Sequence, residues 1–231
     1  GQAWIATMRG LGMIDTDTGT IAQVSVPGYP NVALRSLARD DDGTLWLGSQ
    51  LNGVLHFDPS SGRVRAYAPK SASPEPSPVH AVTIDRRHRV WAGTSDGLEL
   101  LEPATGRLRV FRHAPDQHAS LAGNLVRAVL EASDGTVWVG SHSGLSRVRE
   151  NGDKLDFDHP LDAALGARPV PVVFSIAESP QGLLWLGTDA GLMRFDPAHG
   201  QVRGYGLADG LQDLEFNGGA AVRLRGRRLL F

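Results

Sequence analysis

Five tryptophans recur at a nearly constant spacing, and that spacing constrains the chain more than any other feature. Trp4, Trp46, Trp91, Trp138 and Trp185 are all the tryptophans of the sequence, set 42, 45, 47 and 47 residues apart. Around them one pattern returns: Thr44-Leu45-Trp46-Leu47-Gly48-Ser49, Arg89-Val90-Trp91-Ala92-Gly93-Thr94, Thr136-Val137-Trp138-Val139-Gly140-Ser141 and Leu183-Leu184-Trp185-Leu186-Gly187-Thr188. Ala3-Trp4-Ile5-Ala6-Thr7 is a weaker copy, and Arg228-Leu229-Leu230-Phe231 a degenerate one that puts Leu230 where a sixth tryptophan would fall. A unit of this length buries too little surface to fold alone, so the units must stack into a common body.

Within each period the apolar residues come in short aliphatic or β-branched runs separated by Gly, Asp and Pro, the punctuation of an antiparallel meander. In the second period Val32 to Arg39 reads as one strand, and Asp42-Gly43 as a tight turn into the Trp46 strand, because both residue types tolerate positive φ. Gly53 to Phe57 is a third strand, Asp58-Pro59-Ser60-Ser61-Gly62 a turn, and Arg63 to Tyr67 a fourth. Four such strands per period make one propeller blade. The expected fold is all-β: a β-propeller of four-stranded antiparallel blades, with about five repeats in a single segment, 1–231. Blades fall at about 32–67, 79–111, 125–159 and 172–205, with partial blades at 1–26 and 219–231. Pro69 to Pro78 is a surface loop, since so many prolines cannot join a ladder. Asp162 to Leu165 is at most one helical turn, confined by Pro160 and Pro169. Gly226 to Phe231 duplicates the strand supplied by Ala3 to Thr7, which favours an incomplete propeller, an open arc, over a closed ring. Beginning and ending inside a repeat, the chain reads as a piece of a longer polypeptide.

Composition narrows the function classes. Lys+Arg number 23 against 25 Asp+Glu, so no dominant attraction to nucleic acid or to a membrane surface is expected. No apolar run approaches the ~18 residues of a membrane span, so a membrane connection is expected only through segments outside this chain. The absence of cysteine rules out a disulfide framework and leaves the compartment undecided.

The consensus of a hydrophobic strand, Asp-Gly, Leu-Trp-Leu-Gly-Thr, then Gly-Leu, Phe-Asp-Pro and Gly, resembles the two-component-regulator propeller repeat. That family occurs in the periplasmic sensor regions of hybrid histidine kinases and of some diguanylate cyclases. The resemblance extends over essentially the whole chain, and Asp209 to Ala220 resembles the family's last repeat. It implies a non-catalytic sensory or ligand-binding segment in the periplasm, part of an inner-membrane sensor, that couples ligand binding to a kinase or cyclase. A propeller enzyme acting on a polysaccharide or lactone-like ring, and a plain interaction scaffold, are the alternatives.

The tryptophans suit inter-blade packing better than sugar stacking, since each is flanked by aliphatic residues. Asp42, Asp58, Asp134 and Asp196 suit turn chemistry better than calcium. No histidine pairing, His113 and His118 included, has convincing ligand spacing, so neither metal nor cofactor is expected, and no catalytic group stands out. One position varies informatively. Eleven residues before each repeat Trp, or before Leu230, stand Arg35, His80, Arg127, Phe174 and Gly219, at the start of the innermost strand beside the channel. Arg35, His80 and Arg127 are therefore the candidate ligand-binding residues, expected at one end of the channel. An acidic saccharide or other small anion is the expected ligand, because guanidinium presents a planar fork of donors. The competing expectation is that each Arg merely pairs with a loop carboxylate such as Asp116 or Glu75. Open blade edges make a homodimer the other expected partnership.

Overall fold

A computed structural model describes residues 1–69, 76–223 and 229–231. The chain divides into two compact units, Gly1–Ser95 with Glu99–Val110, and Asp96–Leu98 with Phe111–Phe231. Every regular sheet is antiparallel and runs in chain order.

The first unit begins with a three-stranded sheet, β1 (Gln2–Thr7), β2 (Gly10–Asp15) and β3 (Ile21–Val24). A complete blade follows, β4 (Leu34–Arg39), β5 (Leu45–Ser49), β6 (Val54–Asp58) and β7 (Arg63–Tyr67). The next is β8 (Val79–Ile84), β9 (Val90–Thr94), β10 (Gly97–Glu102) and β11 (Arg107–Phe111), most of which lies in this unit. The first strand of the second period starts at Leu34 rather than Val32. Val32 instead fills the core between the first two sheets, with Leu11, Val26, Leu45 and Phe57.

The second unit holds β12 (Val126–Glu131), β13 (Val137–Ser141), β14 (Gly144–Asn151) and β15 (Lys154–Asp158), then the helix α1 (Pro160–Leu165). After it come β16 (Val173–Glu178), β17 (Leu184–Thr188), β18 (Gly191–Asp196) and β19 (Gln201–Tyr205), and the short pair β20 (Val222–Arg223) and β21 (Leu229–Leu230). Pro160 does not confine the helix but opens it: at the first helical position its fixed φ is suitable and its missing N–H costs nothing, and Leu161 and Leu165 enter the core. Among the described residues there are four complete four-stranded blades, a three-stranded sheet before them and a two-stranded pair after them, a set of sheets consistent with an incomplete propeller. Most of the proline loop, residues 70–75, and the first half of the expected duplicate strand, residues 226–228, lie outside the described residues.

The Trp strand is buried on both faces in β5, β9 and β13, and its residues explain how blades stack. Trp46 packs among Val79, Val82, Val90 and Ala92 of the following blade. Trp138 does the same with Val173, Ile176, Leu184 and Phe195, meeting Phe195 edge to face at 6.1 Å. The packing reading of these tryptophans therefore holds. The Gly two residues after Trp46 and after Trp138 is required by the same interface. A Cβ on Gly48 would lie 2.8 Å from Val79 Cγ1, and one on Gly140 2.7 Å from Val173 Cγ1, closer than real side chains approach. The next residue, Ser49, Ser141 or Thr188, is buried and donates its hydroxyl to the carbonyl of Gly53, Gly144 or Gly191 at 2.8, 3.2 and 2.6 Å. That bond closes the hairpin into the third strand. The turn aspartates act locally: Asp42 Oδ1 accepts from the Thr44 backbone N–H at 2.8 Å, and Asp134 Oδ1 from Thr136 at 2.8 Å.

Candidate functional site

In all four complete blades the first strand carries a β-bulge at the same place. The register steps from Leu34↔Ser49 to Ser36↔Gly48, from Val79↔Thr94 to Ala81↔Gly93, from Val126↔Ser141 to Ala128↔Gly140, and from Val173↔Thr188 to Ser175↔Gly187. The residues skipped are Arg35, His80, Arg127 and Phe174. A bulge leaves its extra residue out of the ladder and re-aims its side chain, so the variable position picked out by spacing is also the one the backbone sets apart.

Each polar bulge residue is met by the residue fifteen positions on, four past the Trp. Arg35 Nε donates to the Gln50 side-chain oxygen. His80 Nε2 and Ser95 Oγ stand 2.8 Å apart, and Arg127 Nε donates to His142 Nε2 at 3.1 Å. All three pairs are exposed. The partner's backbone is stapled to the strand start, with Gln50, Ser95 and His142 N–H donating to the carbonyls of Ala33, Pro78 and Leu125 at 2.9, 3.0 and 3.1 Å. In the last complete blade the equivalent Asp189 turns its carboxylate on the Val172 N–H at 2.9 Å. Phe174 instead meets the His142 ring edge to face at 6.0 Å.

The electrostatics follow from those partners. Arg35 has no carboxylate partner among the described residues, and its charge is opposed only by an amide dipole. His142 accepts from Arg127 through Nε2, which requires the neutral ring with its proton on Nδ1. Burial, and after it the Arg127 charge, push the His142 pKa below its usual value. Arg35 and His80 lie in the first unit and Arg127 in the second. Glu75, one of the carboxylates expected to compete, lies outside the described residues. Sequence reasoning located the three candidates but missed both the bulge and the partners Gln50, Ser95 and His142. A constant offset of four from each Trp was the available signal.

The family model described as "two component regulator propeller" matches residues 28–50 and 120–143. These two stretches are similar to two-component regulator propeller repeats. Each matched stretch contains a bulge arginine together with its partner, Arg35 with Gln50 and Arg127 with His142. A search of curated proteins found no match to the chain. Among solved structures, the extracellular domain of a hybrid two-component system from B. thetaiotaomicron is 20% identical with a TM-score of 0.73, covering 99% of this chain and 30% of its own. A catalytically inactive virginiamycin B lyase from Staphylococcus aureus, solved with quinupristin, is 14% identical with a TM-score of 0.70, covering 94% of this chain and 70% of its own. PorZ, a surface component of the type-IX secretion system of Porphyromonas gingivalis, is 14% identical with a TM-score of 0.67, covering 93% and 33%. At such identities the likeness establishes the fold. The blade architecture here is thus shared with an extracellular domain of a two-component system and with an enzyme, and the chain spans about a third of the length of the extracellular domain it matches. Among the described residues no helix is long and apolar enough to cross a membrane.

Proposed function

We propose that this segment is a non-catalytic, extracytoplasmic sensory propeller, periplasmic in location, whose ligand occupancy is passed to a kinase or cyclase carried elsewhere on its polypeptide. The observation that carries this reading is the bulge position, one per blade and held out of the ladder, where Arg35 meets the neutral side chain of Gln50 and where His80 and Arg127 stand in two further blades. A cationic donor resting on an amide, as Arg35 rests on Gln50, gives up little when an anion replaces that partner, whereas one locked to a carboxylate must first break a charge pair. The ligand is therefore anionic, a carboxylate or sulfate on a saccharide being the class that suits guanidinium donors. The virginiamycin B lyase and a gluconolactonase from Xanthomonas campestris share the fold, so a propeller enzyme is the second reading.

The test is to titrate acidic and neutral oligosaccharides against the protein and its Arg35→Ala and Arg127→Ala variants by calorimetry. Preference for the acidic ligands, weakened about tenfold or more by either substitution, is expected from the loss of a charge-assisted bond. Equal affinity in all three proteins removes the bulge row from consideration. Turnover of any of these glycans selects the enzyme reading instead.

A further inference from the structure

The turn before the Trp strand holds glycine in three complete blades, Gly43, Gly135 and Gly182, at φ of 88, 88 and 76°. The remaining blade has His88 there, at φ 56°, the only non-glycine residue with positive φ among those described. An L-residue in this left-handed region is strained relative to glycine, yet histidine stands where glycine would do. Its ring reaches the preceding blade of the same unit: His88 Nδ1 lies 3.3 Å from Asp40 Oδ1. Ligand atoms of Asp40, Asp41 and His88 all fall within 4.8 Å of one another.

The geometry points to a divalent-metal site at Asp40, Asp41 and His88, bridging two successive blades. Two ligands each ~2.1 Å from a tetrahedral zinc ion stand roughly 3.4 Å apart, close to the separation found between Nδ1 and Oδ1, so an ion fits between them with little movement. One imidazole and two carboxylates suit zinc or a similar borderline divalent ion. Calcium and magnesium, which prefer shells made of oxygen alone, fit less well. Asp40 is oriented from behind: its Oδ2 accepts from Trp46 Nε1 at 3.4 Å, an outer contact of the kind that fixes a ligating carboxylate. Asp41 and His88 are exposed, which leaves the remaining coordination positions to water. Arg39, Arg86 and Arg87 adjoin these residues in sequence, and their charge lowers the affinity below that of an all-acidic turn. Nothing local in the sequence announces this site, because 48 positions separate Asp40 from His88.

The experiment uses the whole chain without a histidine tag, stripped with chelator and titrated with zinc chloride by calorimetry, alongside thermal melts with and without zinc. His88→Gly installs the residue the other turns use and relieves the left-handed strain, so it folds at least as well as the parent. Asp41→Asn leaves the His88–Asp40 contact in place and removes one ligand. The expected result is one equivalent of zinc and a zinc-dependent rise in Tm for the parent, with affinity at least tenfold weaker in both variants. No zinc binding by the parent, or unchanged binding by either variant, overturns the site. The bulge-row reading is untouched by either result.

Discussion

Trp138 and Trp185 occupy the same place in consecutive repeats with nearly the same neighbours in sequence, and they end in different surroundings. Trp138 is sealed by β16, β17 and β18, with Val173 seated on Gly140. Trp185 is only half-buried. It stacks on Tyr205 of its own blade at 5.5 Å and borders a cavity of about 350 Å³ with Ser179, Gln181, Leu192, Leu229 and Phe231. The seat on Gly187 is taken by Phe216, from an irregular segment whose backbone donates to Thr188 O at 3.1 Å. A repeat therefore supplies the tryptophan but not its burial. The lid belongs to the next repeat, which is why stability in such arrays is a sum of nearest-neighbour interfaces.

The largest effect that tests this contrast is truncation of the two rings. Trp138→Ala should cost ~3–5 kcal/mol in a denaturant titration, the usual loss for a large buried aromatic. Trp185→Ala should cost only ~1–2 kcal/mol, since much of its apolar surface stays in water in the folded state. Equal losses would mean that the lid contributes little and that each blade stabilises its own tryptophan.

A smaller effect is expected at the glycines. Gly140→Ala drives a methyl toward Val173 Cγ1 at 2.7 Å and the Val173 carbonyl oxygen at 3.0 Å, within a regular strand, and should cost ~1–3 kcal/mol by overpacking. In Gly187→Ala the new methyl meets Ser175 Oγ, which a change of rotamer can move aside, and Phe216 at 3.0 Å, outside any strand and freer to shift. Its Tm should fall less than that of Gly140→Ala, and the reverse order would show that the Phe216 segment is as firmly seated as a true blade.

The smallest expected effect is at His142. Its folded-state pKa is depressed, so the neutral ring contributes its full stability above the unfolded value of ~6.5 and loses it as pH falls through the folded value. Stability measured from pH 7.5 down to pH 5 should decline more steeply in the parent than in His142→Gln. Arg127→Gln should lessen the slope without abolishing it, because burial is the larger cause and the Arg127 charge the lesser. Parallel profiles for all three would remove this pair as a source of pH dependence.

The sequence by itself determined the period, the strands, the turns and the incomplete propeller, because these rest on chemistry within a few residues: alternation of apolar side chains, Asp-Gly before the Trp strand, a hydroxyl after its glycine. It also picked out Arg35, His80 and Arg127, since a repeat makes unequal residues at equivalent positions visible. Tertiary structure decided the rest. The bulge that sets those residues apart is a register between strands, and Gln50, Ser95 and His142 become their partners only when that register forms. Val32 serves the core rather than a strand because the first two sheets close over it. His88 meets Asp40 because two blades stack, and Trp185 is half-buried where Phe216, Leu229 and Phe231 stand in place of the strands that seal Trp138. Periodicity records what each unit repeats, whereas packing between units depends on which residues the neighbour presents, and that relation is formed only in the folded chain.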